Sequence, residues 1–153
     1  MPADSATRIF RRLLDAVRSD NRDEALEALR EGYELVNAEG VAAWLELFDP
    51  EIEWSEGDEV PERHVYRGYQ GVLRQQERFR EAWESFSIDP VDYAASPSSD
   101  RIAVIVDLRG RGRGSGAEVQ ARVAHLWEIR NGKAVRFHIY ADPEKAIEAA
   151  RAD

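Results

Sequence analysis

The sequence of 153 residues contains no cysteine. Disulfide bonds, thiolate catalysis and cysteine-ligated zinc are therefore excluded, and the absence is compatible with a cytoplasmic protein. No apolar run approaches the roughly 20 residues that a membrane-spanning helix requires. The N-terminus lacks a basic start followed by an apolar stretch, so we expect no signal peptide.

Histidine is also scarce. The three histidines, His64, His125 and His138, do not have the spacing of a metal site. The sequence contains no phosphate-binding loop and no nucleophile elbow. We therefore expect neither a metal nor a cofactor.

Basic residues are fewer than acidic ones, 21 against 30, which gives a formal net charge of −9. An acidic surface repels nucleic-acid phosphates and anionic lipids, so we expect neither nucleic acid nor membrane as a partner. The length fits one domain, in which folding hides roughly 70% of the surface of the chain.

Apolar residues in the first half recur at spacings of three and four, which predicts amphipathic helices. The segments are residues 1–21, 23–37, 41–48 and 68–85. We assign residues 1–21 to an N-terminal helical extension and residues 22–153 to the main domain. Between the last two helices, residues 51–55 alternate as a short strand, and the polar residues 57–63 are predicted to form a loop.

The second half predicts a sheet. Strands are expected over residues 86–96, 102–108, 119–129 and 134–140, and Asn131-Gly132 is a strong hairpin signal. Asp142 should cap a final helix that begins at Pro143. Helices followed by a run of antiparallel strands indicate an α+β fold.

Several blocks occur in an order and spacing that resemble the nuclear transport factor 2-like (NTF2-like) superfamily and, within it, the SnoaL-like proteins. The resemblance covers roughly residues 23–149. The blocks are Tyr33-Glu-Leu-Val-Asn37, Leu47-Phe-Asp-Pro-Glu-Ile-Glu-Trp54, Tyr66-Arg-Gly68, the Arg-Gly repeat of residues 109–116, His125-Leu-Trp127 and Val135-Arg-Phe-His-Ile-Tyr140. The resemblance implies a cone in which a curved antiparallel sheet wraps around N-terminal helices, with residues 1–21 as an extra helix.

Within the sheet, Asp107 and His125 lie on the two longest predicted strands. If the hairpin between these strands is centred near Gly116, Asp107 faces His125 and Ile105 faces Trp127. A carboxylate beside an imidazole would suit a general acid or base, with Asp107 and His125 as the catalytic pair. The alternative is a polar pair that is satisfied within the sheet.

A cone of this kind is expected to hold a ligand between aromatic walls. Arg109 could hold an anionic group at the rim, Tyr33 could reach in from the first helix of the domain, and Glu56 lies near the expected mouth. The complete set of predicted substrate-binding residues is Trp54, Trp127, Phe137, Ile139, Ile105, Arg109, Tyr33, Glu56 and Trp83. For most of these residues, ordinary packing is the alternative.

Enzymes of the superfamily that the chain resembles provide a comparison of catalytic positions. In epoxide hydrolases of this fold an Arg and two Asp residues surround a water; Asp107 matches one Asp, but Ile105 and Ile139 occupy the other two positions. His125 matches the His of the polyketide cyclases, whose partner Asp is again replaced by Ile139. The resemblance therefore argues against epoxide hydrolysis and leaves a cyclase without its usual carboxylate.

Three functions follow from these patterns. The first is a pocket protein that binds a small apolar ligand; if it is catalytic, it would be a cofactor-independent isomerase, cyclase or dehydratase acting on an apolar cyclic substrate by acid–base chemistry. The second is a non-catalytic ligand-binding or dimeric interaction module. The third is binding of a stress or transport partner through the outer sheet face. Arg136, His138 and Tyr140 are expected on the same face, where the resemblance also implies a homodimer.

Overall fold

The computed structural model describes residues 2–56 and 64–152, and this part of the chain forms four α-helices, one 3₁₀ helix and one six-stranded sheet. The helices are α1 Pro2–Arg18, α2 Arg22–Glu39, the 3₁₀ helix Val41–Leu47, α3 Gly68–Ala82 and α4 Pro143–Arg151. The strands are β1 Phe48–Ser55, β2 Val65–Arg67, β3 Trp83–Ala95, β4 Arg101–Gly112, β5 Glu118–Arg130 and β6 Lys133–Tyr140.

The sheet is curved and open, with the strand order β2-β1-β6-β5-β4-β3. Neighbouring strands are antiparallel except for β1 and β6, which run parallel. The N-terminal helices pack against one face of this sheet, and α4 packs against the other. The predicted α+β architecture is confirmed, with one parallel pair in a sheet that was expected to be antiparallel throughout.

Most element boundaries agree with the sequence patterns, and the differences are local. Asn21 caps α2, because its side chain accepts a hydrogen bond from the backbone N–H of Glu24, and the helix begins at Arg22. Asp142 caps α4 with Pro143 in the first turn, as predicted. Helix α3 ends at Ala82, and the following strand begins at Trp83, earlier than expected. The loop predicted over residues 57–63 lies outside the described residues.

Apolar side chains form two cores, one on each face of the sheet. The larger core joins α1, α2 and the 3₁₀ helix to the inner face, and includes Phe48, Ile52 and Phe137. The smaller core lies between the outer face and α4; it contains Ala103, Ile105, Ala124, Leu126, Ala146 and Ala150. As a result, β4 and β5 are covered on both faces along part of their length.

The C-terminal end of α2 is tied to both α3 and β3. Gly40 has φ +83° and ψ 177°, a conformation that is essentially restricted to glycine, and an added Cβ would lie 2.3 Å from Gln76 Oε1. Gln76 Oε1 accepts a hydrogen bond from the backbone N–H of Ala42. Asn37 forms two hydrogen bonds with the backbone of Ile88, at 3.0 and 2.9 Å. These contacts fix the opening of the cavity described below.

Candidate functional site

The hairpin of β4 and β5 does not bring Asp107 and His125 together. Asp107 pairs with Arg122, whereas His125 pairs with Val104. Opposed residues share a face and successive residues alternate, so Asp107 and His125 point to opposite sides of the sheet. The predicted contact between Asp107 and His125 is therefore wrong.

The error arises in the turn. Gly112 N–H donates to the Ala117 carbonyl, and the paired residues place the centre of the hairpin between Gly114 and Ser115, not near Gly116. The numbers of two opposed residues consequently add up to 229, as the pair Asp107 and Arg122 shows. A turn centred on Gly116 would give 232. An odd shift in this sum exchanges the two faces of one strand relative to the other.

Asp107 belongs to a surface ion pair on the outer face. Arg122 Nε and Nη2 donate to its two carboxylate oxygens at 2.7 and 3.0 Å. This hydrogen bonding lowers the pKa of Asp107, and the charges of Arg122 and Arg109 act in the same direction. Ile105 and Arg109 alternate with the inner residues of β4 and share this outer face. Ile105 packs in the core beneath α4, and Arg109 is exposed. Neither residue reaches the interior, in contrast to the prediction.

The inner face of the sheet and the helices enclose a cavity of about 290 Å³. Four residues that the sequence predicted for the site line it: Trp54, His125, Phe137 and Ile139. Phe137 lies at the centre of the aromatic wall, with its ring centroid 3.8 Å from that of Trp54 and 4.8 Å from that of His125. Further apolar walls come from Val36, Trp44, Phe79, Phe86, Ile88, Val106, Leu108 and Val123.

His125 is the polar group of this aromatic wall. Its side chain is buried, with 7% relative exposure, and its Nδ1 lies 2.8 Å from the hydroxyl oxygen of Tyr33. Trp127 Nε1 lies 3.4 Å from the same hydroxyl oxygen. An indole N–H can only donate, so Tyr33 accepts from Trp127. The hydroxyl hydrogen of Tyr33 is then available for donation to His125 Nδ1.

This arrangement determines the tautomer of His125. If Nδ1 carried the proton, the buried Tyr33 hydroxyl hydrogen would have no acceptor among the described residues; donation from Tyr33 to Nδ1 avoids that cost. The proton of the neutral ring then resides on Nε2. No described side chain pairs with Nε2, so this N–H is available to the cavity that His125 lines.

Burial keeps both members of the Tyr33–His125 pair neutral at ordinary pH. Desolvation lowers the pKa of His125 to about 3 and raises the pKa of the Tyr33 hydroxyl. His125 is accordingly a hydrogen-bond donor at neutral pH and a very weak base. Trp54 also lines the cavity, but its Nε1 is inaccessible and has no partner in the described part of the chain.

The remaining predicted residues lie around the cavity rather than in it. Tyr33 and Trp127 line a smaller cavity of about 60 Å³ beneath α1. Trp83 packs against Phe79 and over Gly110, where an added Cβ would lie 2.6 Å from its ring. Glu56 accepts from the backbone N–H of His64.

The cavity has a polar mouth that was not predicted from the sequence. Asn37, Glu39, Gln75, Gln76 and Arg80 lie there, on α2 and α3. Polar residues on the exposed side of amphipathic helices are ordinary, so no pattern in the sequence distinguishes these positions. The hydrogen bonds that join the end of α2 to β3, and the segment after it to α3, bring these polar residues to one opening.

Two further properties concern the described residues as a group. Within residues 2–56 and 64–152, no cluster of three His, Asp or Glu side chains is placed to hold a metal ion. None of the helices in these ranges combines the length and apolar character needed to cross a membrane.

Comparisons with known proteins identify the fold. An NTF2-like protein of unknown function from Burkholderia pseudomallei is 21% identical, with 81% of this chain and 95% of that chain covered and a TM-score of 0.65. TerC co-crystallised with polyporic acid is 18% identical, with coverages of 76% and 92% and a TM-score of 0.62. A Mycobacterium tuberculosis protein in complex with estradiol-17β-hemisuccinate is 20% identical, with coverages of 71% and 85% and a TM-score of 0.59. These likenesses show a common fold.

Comparison with curated protein sequences gives no match. The sequence profile of the SnoaL-like domain, however, matches residues 29–137, which is most of the chain. This match agrees with the α+β architecture and with the similarity to NTF2-like structures. The chain therefore belongs to the SnoaL-like domain family and has the fold of NTF2-like proteins.

Proposed function

We propose that the protein binds a small, apolar, ring-containing molecule in the cavity lined by Trp54, His125, Phe137 and Ile139. One observation carries the proposal: an aromatic cavity of about 290 Å³ contains an imidazole that is neutral, oriented and unpaired at Nε2. Ligand sites typically combine apolar walls with a few placed polar groups.

The size and walls of the cavity favour flat ligands. Its volume of about 290 Å³ lies just below the typical range of about 300–1,000 Å³ for ligand pockets, which suits a molecule of two or three fused rings. Each Å² of apolar surface removed from water contributes about 25 cal/mol, so aromatic walls supply most of the binding energy. A ligand oxygen would pair with His125 Nε2–H.

Two structural neighbours support a ligand of this kind. TerC was crystallised with polyporic acid, and the Mycobacterium tuberculosis protein with estradiol-17β-hemisuccinate. Both proteins share the fold with this chain at low identity. Their ligands therefore support ring binding in general and do not specify the molecule that this protein binds.

The enzymatic version of the proposal is a cofactor-independent isomerase, cyclase or dehydratase that acts on an apolar cyclic substrate. The oriented imidazole of His125 favours it, because a fixed N–H could stabilise a developing oxyanion. The position of Asp107 on the outer face weighs against it, because His125 then lacks the carboxylate partner of an acid–base pair. A pKa of about 3 also makes His125 a poor base. We therefore favour binding as the function.

We expect 1-tetralone, a ketone on two fused rings, to shift the indole N–H signals of Trp44 and Trp54 in ¹⁵N-resolved NMR spectra. Both residues line the cavity, whereas Trp83 does not and provides an internal control. Val123→Trp should abolish the shifts, because a large side chain on the cavity wall would fill the space that the ligand needs. Asp107→Asn, on the opposite face, should preserve them. Shifts that persist in Val123→Trp would contradict binding in this cavity.

We also propose a homodimer that forms through the outer face of β1 and β6, since α4 covers that face mainly over β3, β4 and β5. Across four strands this face carries the alternating row Arg67, Glu53, Arg136 and Glu128, with ion pairs of 3.3 Å between Arg67 and Glu53 and 3.1 Å between Arg136 and Glu128. Charges that are already paired within the sheet leave a neutral surface, which a second copy can approach without repulsion.

Light scattering should give a mass of twice 17.4 kDa. Arg136→Glu would place a third acidic side chain beside Glu53 and Glu128, and should shift the protein toward the monomer. Glu84→Arg, on β3 at the far edge of the sheet, is a charge-reversal control that should leave the mass unchanged. A wild-type mass near 17.4 kDa would refute the dimer.

A further inference from the structure

We infer that Tyr33, supported by Trp127, is a positioning residue that fixes His125 as a hydrogen-bond donor and thereby makes the cavity select ligands with an acceptor oxygen, such as a ring ketone. The inference rests on the proposed function and deepens it. It names the class of ligand, and the residue that determines this preference does not line the main cavity.

The geometric basis is the chain of contacts from Trp127 through Tyr33 to His125. Its two links measure 3.4 Å, from Trp127 Nε1 to the Tyr33 oxygen, and 2.8 Å, from that oxygen to His125 Nδ1. The rings of Tyr33 and His125 are stacked, with centroids 5.8 Å apart and planes 18° apart. Tyr33 in turn packs edge-on against Trp44 at 5.0 Å. Aromatic contacts on both sides therefore limit rotation of the two rings.

The hydrogen bonds that link Trp127, Tyr33 and His125 all donate in the same direction. Trp127 can only donate, so each following group accepts on one side and donates on the other, and the last donor is His125 Nε2–H. The aromatic end of the cavity thus offers a donor, His125 Nε2–H, while the groups that can accept, such as Asn37, Glu39 and Gln76, lie at the mouth.

This direction of donation has a consequence for specificity. A ketone or enolate oxygen at the aromatic end can pair with His125, whereas an ammonium group placed there would leave its own donors unpaired. A ring without any oxygen would leave His125 Nε2–H unsatisfied after water is displaced. Because unpaired buried polar groups are costly, the site should prefer the ketone.

The first test measures the tautomer in the free protein. Two-bond ¹H–¹⁵N correlations of His125 at neutral pH should show a protonated Nε2 and an unprotonated Nδ1. In Tyr33→Phe, the His125 signals should move toward an average of the two tautomers, because Nδ1 loses its donor. Tyr93→Phe is the matched control: its ring lies outside the cavity and packs under Arg22, a contact that phenylalanine retains. A wild-type His125 protonated at Nδ1 would overturn the inference.

The second test compares 1-tetralone with tetralin, which has the same two rings and no oxygen. The dissociation constant of tetralin divided by that of 1-tetralone measures the preference for the ketone. This ratio should fall about three- to tenfold in His125→Phe, the range expected for one hydrogen bond. The ratio should fall about threefold in Tyr33→Phe and stay unchanged in Tyr93→Phe. A purely structural role of Tyr33 would weaken both ligands equally and leave the ratio unchanged.

The outcomes separate the inference from the function on which it rests. If both ligands bind in the cavity and the ratio is the same in wild type, His125→Phe and Tyr33→Phe, the donor role is refuted and ligand binding stands. If neither ligand shifts the Trp44 and Trp54 signals, the proposed function and the inference fail together.

Discussion

Acidification from pH 7 to pH 4.5 is expected to lower the free energy of unfolding of the wild-type protein by about 2–3 kcal/mol more than that of His125→Gln. The cause is the buried imidazole, whose pKa is lowered to about 3 in the folded protein from the ordinary value of 6.5. Glutamine does not titrate in this range and can still accept a hydrogen bond from Tyr33. The variant therefore removes the protonation of His125 without removing this hydrogen bond.

The sign follows from proton uptake. Below about pH 6.5 the unfolded chain binds a proton at His125, while the folded protein does so only near pH 3. The unfolded state therefore holds more protons between these values, and stability falls as the pH is lowered, by up to about 1.4 kcal/mol per pH unit. The contribution of neutral His125 is fully present above pH 6.5 and is lost completely below pH 3.

Other groups do not reverse this direction. Tyr33 is the titratable group that faces His125 directly, and its raised pKa keeps it uncharged throughout the range. Glu39 and Arg80 lie at the mouth of the same cavity, and Asp107 is on the other side of the sheet. All of these groups are present in both proteins, so the difference between the two proteins reports on His125.

Urea unfolding at a series of pH values provides the measurement. Above pH 7 the free energies of unfolding of wild type and His125→Gln should differ by a constant amount. Below pH 6.5 the wild-type value should fall relative to that of the variant. Curves that remain parallel down to pH 4 would show that His125 is not buried and neutral, which would also remove the main support for its role as a donor.

The architecture could be predicted from the sequence because each element carries its own local signal. The spacing of apolar residues marks α2, the pair Asn131-Gly132 marks the last hairpin, and Asp142 with Pro143 marks the start of α4. These signals depend on a few neighbouring residues, and their order along the chain then defines the fold class.

The face of β4 could not be predicted in the same way. Ile102 to Val106 is apolar at every position, because the inner residues pack against the helices and the outer ones pack beneath α4. A strand that is buried on both faces shows no alternation, so its register must come from the turn. The Gly-rich residues 109–116 allow several turn centres, and the difference between Gly116 and Gly114-Ser115 moves Asp107 to the other face.

Strand β5 illustrates the opposite case. Val123 and Trp127 point inward and Arg122 and Glu128 point outward, and the same alternation places His125 on the inner face. The contact of His125 with Tyr33 joins residues 92 positions apart in the sequence. No local pattern encodes such a contact. The sequence therefore indicated His125 and an aromatic cavity, while the partner that orients His125 could be found only in three dimensions.

Phe137→Ala is expected to lower the free energy of unfolding by about 3–5 kcal/mol, the usual cost of truncating a buried aromatic side chain. Phe137 has 1% relative exposure and contacts three aromatic neighbours, with centroid distances of 3.8 Å to Trp54, 4.6 Å to Trp127 and 4.8 Å to His125. Removal of the ring would merge its volume with the adjacent cavity and leave those neighbours without packing partners. Because domains of this size are stable by about 5–15 kcal/mol, the loss would be a large fraction of the total.

Urea unfolding at pH 7 measures this effect, with two variants as controls. Phe137→Leu keeps most of the apolar volume and should cost clearly less. Phe86→Ala also enlarges the cavity, but Phe86 is half-buried near the mouth, so its truncation should cost about 1 kcal/mol. A loss below about 1.5 kcal/mol in Phe137→Ala would mean that the wall around the cavity collapses readily. The cavity would then not be held open by its aromatic packing, and a preformed ligand site would lose its structural basis.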